Sequence, residues 1–306
     1  MNCSVVIPNY NGEEILSECF PSVIGEVRRR GMRDEVIVVD NGSTDGSVAF
    51  LERNFPEVRI LRLSENKAIF AVNDGARAAK NDVILVLNND MVMEPGFIDP
   101  LLAHFSDEKV FSVTGKVFQW DRTTIQGCRR RAVYTRGFYW YVNDYASPEA
   151  PGRTAHALGG QSAYHRGKFL DLGGFDTLFS PFYHEDLDVT YRAYKRGWKS
   201  LYEPESVMYH KGAATAGRYY SRARLKALMQ KNLLLFIWKN IHDRRLWAEH
   251  WFFLPWRTAM GLARGDASLL RGFVWALGSL PLAMERRVVA RREAVLSDRE
   301  VLEALR

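Results

Sequence analysis

The chain has 306 residues, a length that suits one large α/β domain with an appendage or two small domains. Apolar residues make up 47% of it, and its three cysteines (Cys3, Cys19 and Cys128) are odd in number and widely spaced, which excludes a disulfide framework or zinc-ligand spacing and fits a reducing cytosol. The net charge of +6 is uneven: residues 1–210 carry 24 Lys and Arg against 28 Asp and Glu, whereas residues 211–306 carry 18 against 8, so the body is mildly acidic and the tail basic.

Ser4–Pro8 is an unbroken apolar run that predicts a buried first strand, beginning at the N-terminus with no secretory leader before it. Glu13 to Arg30 reads as a helix, with Ile15, Phe20, Val23 and Val27 near helical spacing and Gly31 as its stop. Glu35–Asp40 is a second buried strand, 41–46 a turn, Ser47 to Asn54 a helix and Val58 to Leu63 a third strand. Asn73 to Ala79 reads as a short helix before a fourth strand, Val83–Leu87. Strands that are continuously apolar and alternate with helices predict a parallel sheet covered on both faces. Ligands of such sheets gather at the carboxyl ends of the strands, where Asp40 and Asp90 lie.

From Phe111 to Phe175 the pattern is less regular, and the aromatic stretch Tyr134 to Tyr145 shows no clean period. A helix is expected after Glu185, with Leu187, Tyr191 and Tyr194 as its apolar stripe, Lys195 and Arg196 in its last turn and Gly197 beyond it. Strand-like runs follow at Ser200–Tyr202 and Val207–His210, and the chain reads as helical from Ala223 onward.

Asp40 precedes a turn, and its carboxylate either caps that turn or accepts hydrogen bonds from a nucleotide base or ribose. The first turn, Asn9-Tyr10-Asn11-Gly12, lacks the glycine spacing that brings a backbone against a dinucleotide pyrophosphate, which argues against NAD. Asn88-Asn89-Asp90 is either a turn leaving the fourth strand or a source of oxygen ligands for a hard divalent cation. Glu185, Asp186 and Asp188 place three carboxylates at a helix start. The helix dipole favours ionisation of Asp186 and its acidic neighbours oppose it, a balance that suits a base taking a hydroxyl proton. Acidic capping of the helix is the simpler reading, and Asp188 is placed to pair with Arg192. His210 is either a surface residue or a metal ligand.

The tail mixes tryptophans (Trp238, Trp247, Trp251, Trp256 and Trp275) with many arginines. That suits either amphipathic helices at a membrane interface or a helical subdomain with a solvated basic face. No stretch reaches the ~18 apolar residues that a membrane-spanning helix needs. Residues 247–263 are interrupted by Arg257, and 272–284 are too short. No nucleic-acid reader motif is visible, and nucleic acid is not expected as a partner.

Taken in order, 5–12, 38–47, Glu65-Asn66 with Asn73 and Gly75, 87–90, Gly173–Asp176, 185–188, Arg192, Gly197 and His210 resemble the family 2 glycosyltransferases, over residues 2–215. The resemblance implies a GT-A fold, an α/β architecture with a mostly parallel central sheet and helices on both faces, here carrying a helical C-terminal extension. A transferase domain is expected at 1–215 and a basic helical extension at 216–306. The implied activity is metal-assisted, inverting transfer of a sugar from a nucleoside-diphosphate donor to a glycan or lipid-linked acceptor. The cofactor would be Mn²⁺ or Mg²⁺.

By position, the resemblance makes Asp186 the catalytic base and Asp90 and His210 metal ligands. Pro8, Tyr10, Asn11, Asp40, Asn66, Asn73 and Asn89 would bind the donor, with Asp40 on the nucleoside. Gly160, Glu185 and Asp188 would support the site or the acceptor. Asn88 stands where the family has the first acid of its Asp-x-Asp motif, so altered metal dependence is expected, and Ala68 and Ala71 replace frequent glycines. Members with Asn-Asn-Asp resemble rhamnosyl-type transferases of bacterial surface polysaccharides. The acceptor is expected to enter through the Tyr134–Tyr145 region and the basic tail, with the protein cytoplasmic and peripheral on an anionic membrane. The alternative is a non-catalytic nucleotide-sugar-binding or scaffold protein on the same fold.

Overall fold

The computed structural model describes residues 1–212 and 220–306, so the expected boundary between residues 215 and 216 lies outside the described residues. The first half alternates as its sequence requires: β1 (Cys3–Asn9), α1 (Glu13–Arg29), β2 (Glu35–Asp40), α2 (Ser47–Asn54), β3 (Arg59–Arg62), α3 (Ala71–Ala78) and β4 (Val83–Leu87). These four strands pair in parallel in the order β3-β2-β1-β4. Side chains alternate between two cores, Val6, Ile37 and Val39 facing one and Val5, Ile7 and Val38 the other, because neighbouring strand residues point to opposite faces. Cys3, Cys19 and Cys128 are buried free thiols.

The second half extends the sheet beyond β4. After β5 (Met91–Met93) and α4 (Ile98–Ala103) come β6 (Val110–Gln119), β7 (Ile125–Gly127), β8 (Arg130–Thr135), β9 (Phe138–Asn143), β10 (Gly152–Arg153), β11 (Gln161–His165), α5 (Arg166–Asp171), α6 (Glu185–Lys195) and β12 (Lys199–His210). β11 runs antiparallel between β4 and β6, and β12 pairs in parallel with β6, giving the order β10-β12-β6-β11-β4-β1-β2-β3.

The stretch expected to be irregular therefore contains six strands, β6 to β11. β6 hides its period because its polar residues Ser112, Thr114 and Lys116 are as buried as its apolar ones; Ser112 reaches Ser200 at 2.6 Å and Lys116 reaches Glu149 at 2.6 Å. The aromatic stretch is the hairpin β8–β9, turned through Arg136 and Gly137 at φ 49° and 75°. Two consecutive positive φ values match the twist of a two-residue hairpin, but arginine in the first position is a weak turn signal.

Helices α7 (Arg222–Asn240), α8 (Arg244–Ala263), α9 (Ser268–Gly278), α10 (Leu280–Arg292) and α11 (Asp298–Ala304) complete the described chain. Leu233 to Trp238 of α7 lie in the same continuous core as Val6, Ile37, Phe179 and Tyr191. Buried charge also fixes α7. Lys239, 2% exposed, reaches Asp176 and Asp188 at 2.7 Å each; Asp188 also binds Arg192 at 2.7 Å and Asn240 at 2.8 Å. Asp298 similarly ties α11 to α6 through Tyr191 and Lys195, at 2.8 Å each, and accepts the backbone N–H groups of His242 and Asp243.

Removing one member of a buried ion network leaves its partners short of countercharge, here Asp176 above all, since Asp188 keeps Arg192. Lys239→Met is thus expected to lower unfolding stability by about 3–5 kcal/mol, read as a lower urea midpoint; a loss below ~1 kcal/mol would mean the network contributes little. Burial alone would raise the Asp176 carboxyl, but the Lys239 charge outweighs it and holds it at about 2. Its contribution is complete above the ordinary carboxyl value and is lost as pH falls toward about 2.

Candidate active site

Asp40 closes β2 beside Asn9 at the end of β1. One carboxylate oxygen of Asp40 accepts the Ser43 N–H at 3.1 Å; the other is buried with no partner among the described residues. A buried acceptor left unpaired costs ~1–3 kcal/mol, so this oxygen calls for a donor from water or from a ligand.

Several residues expected on the donor instead build the wall around Asp40. Asn11, at φ 47°, accepts the Thr44 N–H at 2.8 Å, and its own N–H donates to Ser43 Oγ at 2.9 Å. Asn89 donates to Asn9 Oδ1 at 2.8 Å, bridging the exits of β4 and β1. Gly12 allows that bridge, since a Cβ there would lie 2.4 Å from Asn9 Oδ1 and 2.6 Å from Asn89 Nδ2. Asn66 accepts the Ala68 N–H at 2.8 Å, and Asn41 fixes the same segment through Lys67 N at 3.1 Å and Ala68 O at 3.2 Å. Ala68 sits at φ 50°, a left-handed conformation that the family's glycine would take without strain. Asn73 has both amide atoms committed to the Phe175 backbone at 2.9 Å, so its side chain joins α3 to the Gly173–Gly174 turn rather than facing a ligand. Pro8 and Tyr10 stay partly exposed at the exit of β1.

Asp90 and His210 meet across the β5–β12 pairing, with His210 Nε2 3.1 Å from an Asp90 carboxylate oxygen. The other ring nitrogen of His210 lies 2.9 Å from Gln126 Oε1, which orients the imidazole. No group of three or more His, Cys, Asp and Glu gathers around one point among the described residues. One carboxylate and one imidazole suit Mn²⁺ better than Mg²⁺, with diphosphate and water left to fill the remaining positions.

The acidic cluster joins this edge of the sheet through two glycines. Asn88 N–H donates to Gly160 O at 2.8 Å, and a Cβ on Gly160 would lie 2.2 Å from the Asn88 side chain. Gly159 N–H donates to Asp186 Oδ2 at 3.1 Å. Glu185 is 7% exposed, with one oxygen unpaired among the described residues. Burial, reinforced by the Asp186 charge, pushes the Glu185 carboxyl up to about 8. Asp186 is also raised by burial, but the Arg130 guanidinium and the Leu187 and Gly159 N–H groups oppose that rise. Burial thus raises both adjacent carboxyls, and hydrogen bonds and the Arg130 charge oppose the rise at Asp186, so the pair shares its protons unequally. Asp188, expected to support the site, faces away into the Lys239 network and is fully buried.

Arg130 and His156 are the neighbours that sequence reasoning missed. Arg130 donates to His156 Nε2 at 2.6 Å and to Asn143 Oδ1 at 2.8 Å, and lies 5.1 Å from the Tyr141 ring centroid. His156 is buried and neutral, and its Nδ1 has no partner among the described residues. The run Cys128-Arg129-Arg130-Arg131 reads as surface charge; only the hairpin pairing turns Arg130 inward while Arg129 and Arg131 bind Asp144.

The glycosyl transferase family 2 pattern matches residues 4–173. An N-acetylglucosaminyl-diphospho-decaprenol L-rhamnosyltransferase of Mycobacterium tuberculosis is 29% identical over 210 residues, covering 60% of this chain and 68% of that protein. The glycosyltransferase GlyG of Streptococcus pneumoniae is 31% identical over 145 residues, covering 45% of this chain and 43% of that protein. Among solved structures, GalNAc-T7 with UDP, GalNAc and Mn²⁺ superimposes with a TM-score of 0.64 at 20% identity, over 79% of this chain and 48% of that one. The mannosyltransferase PcManGT of Pyrobaculum calidifontis, in complex with GDP-Man and Mn²⁺, gives 0.57 at 17% identity, over 99% of this chain and 85% of that one. With the family pattern matching more than half of its length and the sheet and helices of a GT-A fold, the chain belongs to glycosyltransferase family 2 and is a glycosyltransferase.

Proposed function

We propose that the chain transfers a sugar from a nucleoside-diphosphate donor to a hydroxyl of a glycan or lipid-linked acceptor, with inversion at the anomeric carbon. The observation that carries this reading is the carboxyl pair at the start of α6, with Asp186 held on Gly159 N–H at 3.1 Å beside a buried Glu185. A protein that only bound nucleotide-sugars would not require a base there. The L-rhamnosyltransferase relative, named for a diphospho-decaprenol acceptor, supports the lipid-linked part.

The roles follow from position. Asp40, with its buried unpaired oxygen, accepts from the nucleoside. Asp90 and His210 would hold a divalent cation, which would supply positive charge against the diphosphate. The acceptor hydroxyl attacks the anomeric carbon and the bond to the diphosphate breaks, while Asp186 takes the hydroxyl proton. Gly159 supplies backbone close to the acidic cluster, where a Cβ would lie 3.2 Å from Asp186 Cβ, and Gly160 leaves room for the Asn88 side chain. Residues 1–215 form the catalytic domain in this reading, and 216–306 an extension that keeps it on the cytoplasmic face of an anionic membrane. Among the described residues no helix is long and apolar enough to cross a membrane.

Asp186→Asn is expected to lower kcat by about 10²–10⁴-fold while donor affinity is kept; parallel loss of donor binding in calorimetry would remove Asp186 from the base role. Proton NMR of the product should show the anomeric configuration opposite to the donor's. In thermal-shift titrations, one class among UDP-, GDP- and dTDP-sugars should stabilise the protein, and more so with Mn²⁺. His210→Ala should erase the metal-dependent increment and leave the metal-free one; an unchanged increment places the metal elsewhere. Because folded Glu185 keeps its proton up to about 8 and the unfolded chain loses it near the ordinary carboxyl value, stability falls as pH rises between the two. Glu185→Gln should flatten that slope, so its melting temperature gains on the wild type between pH ~5 and ~8.

A further inference from the structure

Helix α8 begins with two arginines and then becomes almost free of charge. From Trp251 to Ala263 the one charged residue is Arg257. Its guanidinium turns inward, 4.1 Å from the Phe138 ring centroid and 4.7 Å from that of Trp140. The side chains left outward are large and apolar: Phe252 is 76% exposed and Trp256 47%, with Trp251 beside them. After a short turn α9 continues the pattern with Val274 at 58%, Trp275 and Leu277, within a stretch, 272–284, that carries no charge. Isolated exposed apolar residues are ordinary, but a run of aromatic and aliphatic side chains along two consecutive helices marks an interaction face.

The hairpin β8–β9 is bolted to the same helix. Gly137 N–H donates to Glu249 at 3.0 Å, His250 Nδ1 donates to Gly137 O at 2.7 Å, and Tyr134 OH donates to Leu246 O at 2.9 Å. Val133, Trp140 and Val142 of the hairpin are exposed as well. Its inner side reaches the catalytic end: Tyr141 packs edge-on against His156 with centroids 4.4 Å apart, and Arg130 lies over Tyr141 beside the acidic cluster.

Charge indicates what covers this face. Residues 211–306 carry 18 Lys and Arg against 8 Asp and Glu. Arg264 and Arg271 are exposed between and on the two helices, and Arg136 at the hairpin tip lies 5.9 Å from the Trp256 ring centroid. Asp266, the acid in the α8–α9 turn, is occupied by Ser268 N–H and lies 3.9 Å from Lys226. A second copy docked on this face about a two-fold axis would bring these arginines toward their own equivalents. An anionic lipid surface accepts both the apolar side chains, in the acyl boundary, and the arginines, at the headgroups.

We propose that the outward face of α8 and α9, continued by the hairpin β8–β9, inserts into the interface of an anionic bilayer without crossing it. On the transferase reading above, this places the acceptor entrance at Tyr141 and Arg130 against the membrane, so a lipid-linked acceptor reaches Asp186 from the bilayer side. The apolar face, and not the basic tail by charge alone, carries the attachment.

The test is co-sedimentation of the full chain with vesicles of phosphatidylglycerol and phosphatidylcholine, compared with phosphatidylcholine alone. The wild type is expected to bind the anionic vesicles, with added salt weakening but not abolishing binding and tryptophan emission shifting to the blue. The double variant Phe252→Ser/Trp256→Ser, altered at exposed positions, should keep the wild-type melting temperature and bind at least about tenfold more weakly. Absence of wild-type binding, equal binding by the folded double variant, or complete release by salt would overturn the proposal. A concentration-dependent dimer in sedimentation velocity, lost in the double variant, would assign the face to a second copy instead. Vesicle binding needs no donor and no turnover, so a protein that docks without transferring sugar defeats the transferase reading alone, and one that transfers to a soluble acceptor without docking defeats this inference alone.

Discussion

The Lys239 ammonium, buried between Asp176 and Asp188, is the constraint on which the geometry of the candidate site depends. Burying a charge is unfavourable unless it is paired, and here burial does lower the Lys239 pKa while both carboxylates hold the cation in place. Asp176 precedes the turn that leads into α6, Asp188 lies in its first turn, and Lys239 closes α7. Any slide of α7 against α6 would take the buried Lys239 ammonium from both its carboxylates and leave Asp188 with Arg192 alone. The helix start that carries Glu185 and Asp186 is thereby anchored from beneath, on the side away from the glycines that contact it.

That anchoring matters because the two carboxyls at the start of α6 differ chiefly in their environment. Glu185 and Asp186 are neighbours in sequence, yet one is enclosed with an unpaired oxygen and the other accepts Gly159 N–H and feels Arg130. Their separate proton affinities follow from packing and not from residue type. A shift of the Gly159–Gly160 backbone would alter Asp186 and the exit of β4 together, since Asn88 is fastened to Gly160.

Much of the parallel half was legible. Continuous apolar strands, helical spacing in α1 and glycine stops predicted β1 to β4 closely, because each of those elements carries its own period. The site was legible in part. Asp90 and His210, 120 residues apart, do meet, and Asp40 does retain a free buried oxygen. Asn11, Asn66 and Asn73 are bound to backbone, a distinction no one-dimensional pattern contains. Arg130 was hidden in a run of three arginines whose inward member is chosen only by strand pairing.

By itself, the sequence determined which segments form strands and helices in the first ninety or so residues, and which residue types stand at the strand ends, since local periodicity and turn chemistry act over a few residues. It also determined that the charge of the chain is concentrated in its tail. Tertiary structure alone decided that the aromatic stretch is a hairpin clamped to α8, that Arg257 turns inward and leaves an uncharged face, and that Asp188 joins the Lys239 network while Asp186 is held on Gly159 N–H. Each of these depends on contacts between residues far apart in the chain, whose burial and pairing energies no local segment contains.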